Sequence, residues 1–319
     1  MEQLINFSKD NLDMKKAFIE SVSEVFESHK ETKIILGDIG HFGFKHIWED
    51  KKNKDRYFNV GILEQTMVGF AAGLSKSGSY PIVHTITPFL IERPFEQIKI
   101  DFGLNQLKGC FISVGGAFDY STLGPTHHSY SDLAFFSTIP DTHVFSVSSY
   151  PELRMALMDS VNNKRLSYIR MNRKIHELDL KESIKKGNTT IKIANGSSIT
   201  IVVTGSRLND ALNAAKELNK KGISSDIFYV YRIKPLQTNN IQKSIDKTGS
   251  LIVIEDHSSV GSMYSSLLMI LNSKNLVNKI GINTSDKYIR GYGTYDNLSE
   301  RAELDEKTIF NSIINLLKR

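Results

Sequence analysis

Short apolar runs alternate with longer amphipathic segments along this chain, and that alternation restricts the possible folds more than any other feature. In the first half, apolar runs of strand length lie at residues 33–36, 57–60, 81–85, 110–114 and 142–147. Segments with apolar residues at helical spacing separate these runs, and residues 14–28 are the first of them. Strands that alternate with helices form a parallel sheet covered by helices on both faces. The sequence therefore predicts an α/β fold.

The second half repeats the pattern after a polar interval. Residues 176–198 lose the periodicity and contain many Lys, Gly, Asn and Ser residues, which indicates a linker or a domain edge. Beyond it, strands are predicted at 199–203, 226–230 and 251–255, and helices at 210–220 and 262–271. We therefore expect two α/β domains, at residues 1–180 and 190–319, each with a mostly parallel sheet flanked by helices.

Composition excludes several classes of protein. Hydrophobic residues make up 40% of the chain and charged residues 24%, as in ordinary soluble globular proteins. The 40 basic residues are scattered and face 35 acidic ones, so no nucleic-acid partner is expected. The sequence has no export signal and no membrane-spanning run, and its single cysteine, Cys110, lies in a predicted strand. We expect a cytoplasmic protein without a membrane partner.

The segment from residue 56 to residue 78, RYFNVGILEQTMVGFAAGLSKSG, is the most informative. A predicted strand ends at Gly61, and Glu64 follows in the first turn of a helix. Small residues on that helix, from Gly69 to Gly73, permit close packing. On its own, an acid in the first turn is explained by its interaction with the helix dipole.

Together with other segments, however, this stretch resembles the transketolase family. Residues 87–97 (TPFLIERPFEQ) resemble the segment that covers the cofactor's aminopyrimidine ring, and residues 124–128 (GPTHH) resemble a Gly-Pro-Thr-His loop. Arg170, in YIRMN, occupies the position of a family arginine. Residues 204–206, 233–235 and 255–257 resemble landmarks of the family's C-terminal domain. Because the resemblance covers nearly the whole chain, it implies a pyrimidine-binding domain followed by a transketolase C-terminal domain.

The resemblance implies thiamine diphosphate as the cofactor and Glu64 as a catalytic residue. The equivalent carboxyl of the family, held protonated, bonds a nitrogen of the aminopyrimidine, which then removes the thiazolium proton. Burial favours that form, because it disfavours the charged carboxylate. Ile62, Phe89 and Phe95 are the other predicted cofactor-binding residues. Phe95 could equally belong to the core, and the same alternative has less weight for Phe89.

His127, Arg170 and His84 are the predicted substrate-binding residues. The resemblance implies that His127 bonds the oxygen substituents of the donor and moves protons, so it is also a predicted catalytic residue. Arg170 suits a phosphate or carboxylate, but a salt bridge at a strand end would also explain it. His84 could line the site or bond a backbone carbonyl. We expect the neighbouring His128 on the surface.

The resemblance also implies a partner. The family binds magnesium and the diphosphate through a Gly-Asp-Gly motif in a preceding domain, and residues 37–40 (GDIG) are not that motif. We therefore expect no metal ligands in this chain, magnesium ligands on an N-terminal subunit, and a heterotetramer. Gly115 and Leu123 stand where the family has a histidine and an acid that meet the donor. Common pentulose phosphates are thus doubtful substrates, and a sugar, sugar phosphate or nucleotide-sugar remains open.

These observations predict the C-terminal subunit of a split transketolase, which transfers a two-carbon ketol unit between sugars. Two alternatives stay open. The beta subunit of a 2-oxo acid dehydrogenase has the same order of domains, and a non-catalytic scaffold could retain the same fold. The GPTHH loop favours transketolase over the dehydrogenase, and Glu64 together with His127 argues against a scaffold.

Overall fold

The computed structural model of this protein describes residues 2–6, 12–271, 276–284 and 286–318. Strand β1 (Glu2–Gln3) precedes a first α/β unit. This unit contains the helices α1 (Met14–Ser28), α2 (Lys45–Trp48), α3 (Glu64–Lys76), α4 (Thr87–Ile91), α5 (Phe95–Gln97), α6 (Asp132–Ser137) and α7 (Tyr150–Asn162). Its strands are β2 (Thr32–Leu36), β3 (Tyr57–Asn59), β4 (Tyr80–Ile86), β5 (Gly109–Val114), β6 (His143–Val147) and β7 (Leu166–Met171).

A second α/β unit follows. Its helices are α8 (Lys181–Lys185), α9 (Leu208–Lys220), α10 (Asn239–Thr248), α11 (Met263–Ile270), α12 (Tyr295–Arg301) and α13 (Glu306–Leu317). Its strands are β8 (Thr190–Asn195), β9 (Ile199–Thr204), β10 (Ser225–Val230), β11 (Arg232–Lys234), β12 (Ser250–Ser258) and β13 (Asn278–Thr284).

Each unit is built on one sheet, and the two units exchange strands. The first sheet has the order β11-β6-β7-β5-β4-β2-β3, and the second has the order β1-β8-β10-β9-β12-β13. Three neighbouring pairs are antiparallel, namely β1 with β8, β8 with β10, and β11 with β6. The other pairs are parallel. Strand β11 comes from the second half of the chain but pairs with β6 of the first sheet, and β1 pairs with β8 of the second. The predicted fold class, two α/β domains with mostly parallel sheets, is confirmed.

The predicted linker is the main difference between expectation and fold. Residues 176–198 contain helix α8 and strand β8, and Ile191 and Ile193 of β8 are buried. The strand was missed because polar residues surround its few apolar side chains. It runs antiparallel to β10, so it forms part of the sheet. The predicted domain limits of 180 and 190 remain a prediction.

The carboxyl edge of the first sheet positions the candidate site. Strand β3 leads through Gly61 to α3, β4 leads directly into α4, and β5 leads into the loop that contains residues 124–128. Because parallel strands bring their carboxyl ends to the same edge, ligands of open α/β sheets bind there. Side chains from all three connections can therefore meet.

Candidate active site

Glu64 is the first residue of α3, and its side chain is buried. Gly61 has a φ of 74°, a conformation that favours glycine, and it turns the chain from β3 towards the helix. The side chain of Glu64 is 6% exposed, and its Oε1 accepts a hydrogen bond of 2.8 Å from Nη1 of Arg93. The carboxyl is therefore held at the start of the helix by an ion pair, and not in a purely apolar pocket.

Arg93 is a residue of this site that the sequence analysis missed. It lies in the turn between α4 and α5, and its side chain is 45% exposed. The guanidinium carbon lies 3.9 Å from the centroid of the Phe89 ring, which is a cation–π contact. The signal in the sequence is the position of Arg93, a cation inside the segment that is expected to cover a buried acid.

Phe89 connects the ion pair to His127. Their rings meet edge to face with centroids 5.0 Å apart. His127 is half-buried, and its Nδ1 lies 3.0 Å from the hydroxyl oxygen of Thr126. Glu64, Arg93, Phe89 and His127 thus form one connected group, which brings together three of the predicted site residues.

The two other predicted cofactor-binding residues differ in their surroundings. Ile62 is 67% exposed and lies beside Leu63, which is also exposed, so an apolar surface borders Glu64. Phe95 packs instead against Phe135, with ring centroids 5.1 Å apart, at the edge of a hydrophobic cluster. The structure thus gives Phe95 the contacts of a core residue.

His84 both contacts a backbone carbonyl and lines a cavity, which are the two alternatives expected for it. Its Nδ1 lies 2.7 Å from the carbonyl oxygen of Ile112, and its ring packs 4.1 Å from the ring of Phe18. Burial lowers the pKa of His84 to about 4, so the ring is neutral near pH 7. It also lines a cavity of about 790 Å³.

That cavity is lined by both charged and aromatic side chains. Lys15, Asp119, Tyr120 and Arg173 are among them. The backbone N–H of Arg173 donates to Oδ2 of Asp119 at 2.8 Å, and its guanidinium lies 5.0 Å from the Tyr120 ring centroid. Burial raises the pKa of Asp119 to about 7.

Tyr120 fills the space beside Gly115. A Cβ atom on Gly115 would lie 2.3 Å from Cε2 of Tyr120, and Gly115 has a φ of 86°. A histidine at position 115 would therefore require Tyr120 to move. The ring of Tyr120 also lies 6.1 Å from that of His127, so it joins the cavity to the group around Phe89. Leu123, three residues later, is 46% exposed.

Arg170 is not placed to bind a substrate anion, which corrects the prediction. It is fully buried, and its guanidinium pairs with Asp132 at 3.3 Å and with Asp256. Although burial disfavours the charge of Asp256, Arg170 and Arg207 keep its pKa below the ordinary value. Asp132 belongs to α6 and Asp256 to β12, so Arg170 joins the two α/β units. The salt bridge considered as its alternative explanation is the observed one.

His128 also differs from its prediction. It is 5% exposed and lies 3.0 Å, through Nδ1, from the hydroxyl oxygen of Tyr130. Burial lowers its pKa to about 4. The expectation of a surface position was wrong, because the loop folds back through the hydrogen bond from Ser129 N–H to the Ala117 carbonyl.

The described residues contain neither a candidate metal site nor a helix that could span a membrane. Within residues 2–6, 12–271, 276–284 and 286–318, no group of three or more His, Cys, Asp or Glu side chains could hold a metal ion. In the same described segments, no helix combines the length and the apolar character needed to cross a membrane.

Comparison with known proteins gives matches over nearly the whole chain. The family model of the transketolase pyrimidine-binding domain matches residues 10–177, and that of the transketolase C-terminal domain matches residues 187–309. A putative transketolase C-terminal section of Methanocaldococcus jannaschii is 26% identical over 313 residues, which cover 96% of each chain. One subunit of the apulose-4-phosphate transketolase of Phocaeicola vulgatus is 28% identical over 78% of this chain and 80% of its own. A 1-deoxy-D-xylulose-5-phosphate synthase of Dehalococcoides mccartyi is 32% identical over 82% of this chain, but the match covers only 42% of the synthase.

Solved structures have the same fold. A split gene transketolase, described as an inactive β4 tetramer, superposes with a TM-score of 0.83 at 22% identity, over 97% of this chain and 99% of that chain. The transketolase of Campylobacter jejuni superposes with a TM-score of 0.78 at 17% identity, over 97% of this chain but 48% of its own.

Proposed function

This chain belongs to the transketolase family, and from that premise we propose that it is the C-terminal subunit of a split enzyme that transfers a two-carbon ketol unit between sugars. One observation above all supports the proposal. The buried carboxyl of Glu64 begins α3 and lies in one connected group with Phe89 and His127. A carboxyl, an aromatic face and an imidazole are the groups that this chemistry requires from the pyrimidine-binding domain.

The relatives support a partner subunit. The protein named transketolase C-terminal section and the apulose-4-phosphate transketolase subunit each match this chain over most of their own lengths. The solved split gene transketolase has nearly the same extent and is described as an inactive β4 tetramer. We propose that an N-terminal subunit supplies the magnesium and diphosphate ligands and that the two kinds of subunit form a heterotetramer.

The residues around Glu64 fit thiamine diphosphate, the cofactor of the family. When bound, this cofactor supplies a nucleophilic carbon and an electron sink for the two-carbon unit. Glu64 would hold a proton towards a ring nitrogen of the aminopyrimidine, and Phe89 and Ile62 would pack against the ring. The fit is supported by a carboxyl that is 6% exposed beside an apolar surface. Phe95 is the weakest of the proposed cofactor contacts, since its ring packs on Phe135.

We place the donor sugar between His127 and the cavity lined by His84 and Tyr120. His127 would bond the oxygen substituents near the reacting carbon. The neutral ring of His84 lines the wall of that cavity. Because Arg170 is buried, the distal anion of a phosphorylated donor would meet Arg173, an exposed guanidinium on the cavity wall.

A donor screen on the assembled enzyme tests this function. Ketose phosphates, unphosphorylated and deoxy ketoses, and pyruvate are offered to the chain purified with its N-terminal subunit. Two-carbon transfer from a ketose that is lost in Glu64→Ala is the expected result. Oxidative decarboxylation of a 2-oxo acid with transfer to a lipoyl carrier would favour the dehydrogenase subunit instead. A scaffold would give no turnover and no dependence on Glu64.

The synthase relatives provide a second candidate reaction. A 1-deoxy-D-xylulose-5-phosphate synthase is 32% identical to this chain, compared with 26% and 28% for the two transketolase relatives named above, although the match covers only 42% of the synthase. Formation of a 1-deoxyketose from pyruvate and an aldose phosphate, in the pyruvate arm of the same screen, would assign this reaction in place of ketol transfer.

A further inference from the structure

Arg93 makes two contacts that together define a binding position. Nη1 donates to Oε1 of Glu64 at 2.8 Å, and the guanidinium lies over the face of Phe89 with its carbon 3.9 Å from the ring centroid. A guanidinium is flat, carries several N–H donors and stacks well on aromatic rings. Its plane therefore lies against Phe89 while its edge bonds the carboxyl.

An aminopyrimidine at this site needs the same two partners. In the proposed function, the ring packs against Phe89 and a ring nitrogen bonds the carboxyl of Glu64. The face of Phe89 and Oε1 of Glu64 cannot serve both groups at once. We propose that Arg93 is a built-in competitor of the cofactor, a side chain that occupies the pyrimidine position and must swing out before the cofactor can bind. This inference rests on the proposed function, because it takes Glu64 and Phe89 as the pyrimidine site.

The structure allows the swing without a change of the backbone. Arg93 is 45% exposed, so its long side chain can rotate into solvent. The turn that carries it is fastened to the His127 loop, because the Ser129 hydroxyl donates to the carboxylate of the neighbouring Glu92 at 2.7 Å. Rotation of one side chain then exposes the carboxyl of Glu64 while the rest of the site keeps its position.

The test is calorimetric titration of thiamine diphosphate, with magnesium, into the full chain assembled with its N-terminal subunit. Arg93→Met removes the charge and the N–H donors but keeps a side chain of similar length. If Arg93 occupies the site about nine-tenths of the time, its removal should tighten binding by about tenfold. Arg93→Lys, which keeps the charge but loses the planar fork, should fall between the two.

Arg154→Met is the matched control. Arg154 is also 45% exposed and pairs with the carboxylate of Glu24, but it lies on α7, away from the site. It should leave the affinity for thiamine diphosphate unchanged.

Three results would overturn the inference. If Arg93→Met and Arg93→Lys bind the cofactor as tightly as the wild type or more weakly, Arg93 supports the cofactor or ignores it, and the proposed function stands. If Arg154→Met tightened cofactor binding as much as Arg93→Met, the effect would come from the net charge of the protein and not from the position of Arg93. If the wild-type complex binds no cofactor and Glu64→Gln changes nothing, the proposed function fails and the inference fails with it.

Discussion

Arg93 and Arg170 both pair with carboxylates near the carboxyl edge of the first sheet, but their surroundings are opposite. Arg170 is fully buried between Asp132 and Asp256, whereas Arg93 is 45% exposed and holds Glu64. Breaking a buried ion pair costs about 3–5 kcal/mol, because it leaves a charge buried and unpaired. Only the arginine of the Arg93–Glu64 pair is exposed, so breaking this pair should cost less than breaking a buried pair, but more than the about 0–1 kcal/mol of a fully exposed pair.

Burial, and not the identity of the partners, therefore separates a structural ion pair from a breakable one. The pair at Arg170 joins two domains and has no access to solvent through which to exchange partners. The pair at Arg93 lies at the opening of the site, where a ligand can replace one member.

The sharpest test of this comparison is the same substitution at both arginines. Arg170→Met should lower the free energy of unfolding by about 3–5 kcal/mol, while Arg93→Met should lower it by about 1–2 kcal/mol, because it leaves only the carboxyl of Glu64 without its partner. Urea denaturation of the full chain measures both. The comparison breaks if Arg170→Met unfolds like the wild type and instead raises the donor KM, since Arg170 would then act as the anion-binding residue predicted from the sequence.

Substitution of Glu64, the partner of Arg93, should affect catalysis more than folding. Glu64→Gln should leave assembly intact but slow cofactor activation by about a hundredfold, because the amide cannot hold or move a proton. Exchange of the thiazolium proton for deuterium measures that step. Glu24→Gln, which removes the partner of Arg154, is the control and should have no effect. An unchanged exchange rate in Glu64→Gln would remove Glu64 from the mechanism.

Substitutions of Arg173 and of His127 should change different kinetic parameters. Arg173→Ala should raise the KM of a phosphorylated donor by about tenfold, because an anion grip binds ground state and transition state alike. His127→Ala should instead lower kcat by about tenfold, since its proton movement strengthens towards the transition state. Steady-state kinetics with the best donor of the screen separates the two. Full activity in both variants would place the donor elsewhere.

Asp119 lies between the two regions and gives a pH test. Its pKa is raised from 3.8 to about 7 by burial, next to Arg173, Asp256 and Arg170. Between about pH 4 and pH 7 the folded state therefore binds more protons than the unfolded chain, so this group's contribution to stability falls as the pH rises through that window. In Asp119→Asn this fall should be absent. The free energy of unfolding of the variant, relative to that of the wild type, should therefore be higher at pH 7 than at pH 4 by on the order of 1 kcal/mol.

Denaturation of both proteins at several pH values measures this difference. His84 and His128, whose pKa values are about 4, give the opposite slope in both proteins and cancel. Parallel stability curves for wild type and Asp119→Asn would contradict the raised pKa.

The smallest expected effect concerns donor preference. Leu123 is 46% exposed beside the His127 loop, where the family has an acid. Leu123→Asp should shift the ratio of kcat/KM values towards fully hydroxylated donors by about threefold, roughly 0.7 kcal/mol. Competition between a ketose and its deoxy analogue measures the ratio. No shift would mean that position 123 does not face the donor.

Local patterns were enough to predict the elements that position the site. The strand at 81–85 and the helix after Gly61 correspond to β4 and α3. A strand buried on both faces appears in the sequence as a short apolar run, and a helix buried on one face appears as apolar residues at helical spacing. Glu64 lies in the first turn of its helix, as predicted. Strand β8 was missed, since an antiparallel strand at a domain edge carries only a few apolar residues.

Contacts between distant residues were beyond such patterns. Arg93 and Glu64 are 29 residues apart, and Asp256 is 86 residues from Arg170. Nothing in the local sequence tells a buried arginine from an exposed one, so the sequence predicts a substrate role for Arg170 and no role for Arg93. The resemblance to the family indicates which positions to examine, but the burial of each side chain determines what it can contact.

The exchange of strands between the sheets limits how evolution or engineering can recombine this protein. A chain cut between residues 180 and 190 would leave β6 without β11, and β8 without β1, so each fragment would have an open sheet edge. Chimeras that join the first half of one homologue to the second half of another must therefore keep residues 232–234 matched to the β6 that they cover. For this fold, the whole chain is the unit that can be exchanged between homologues without separating paired strands.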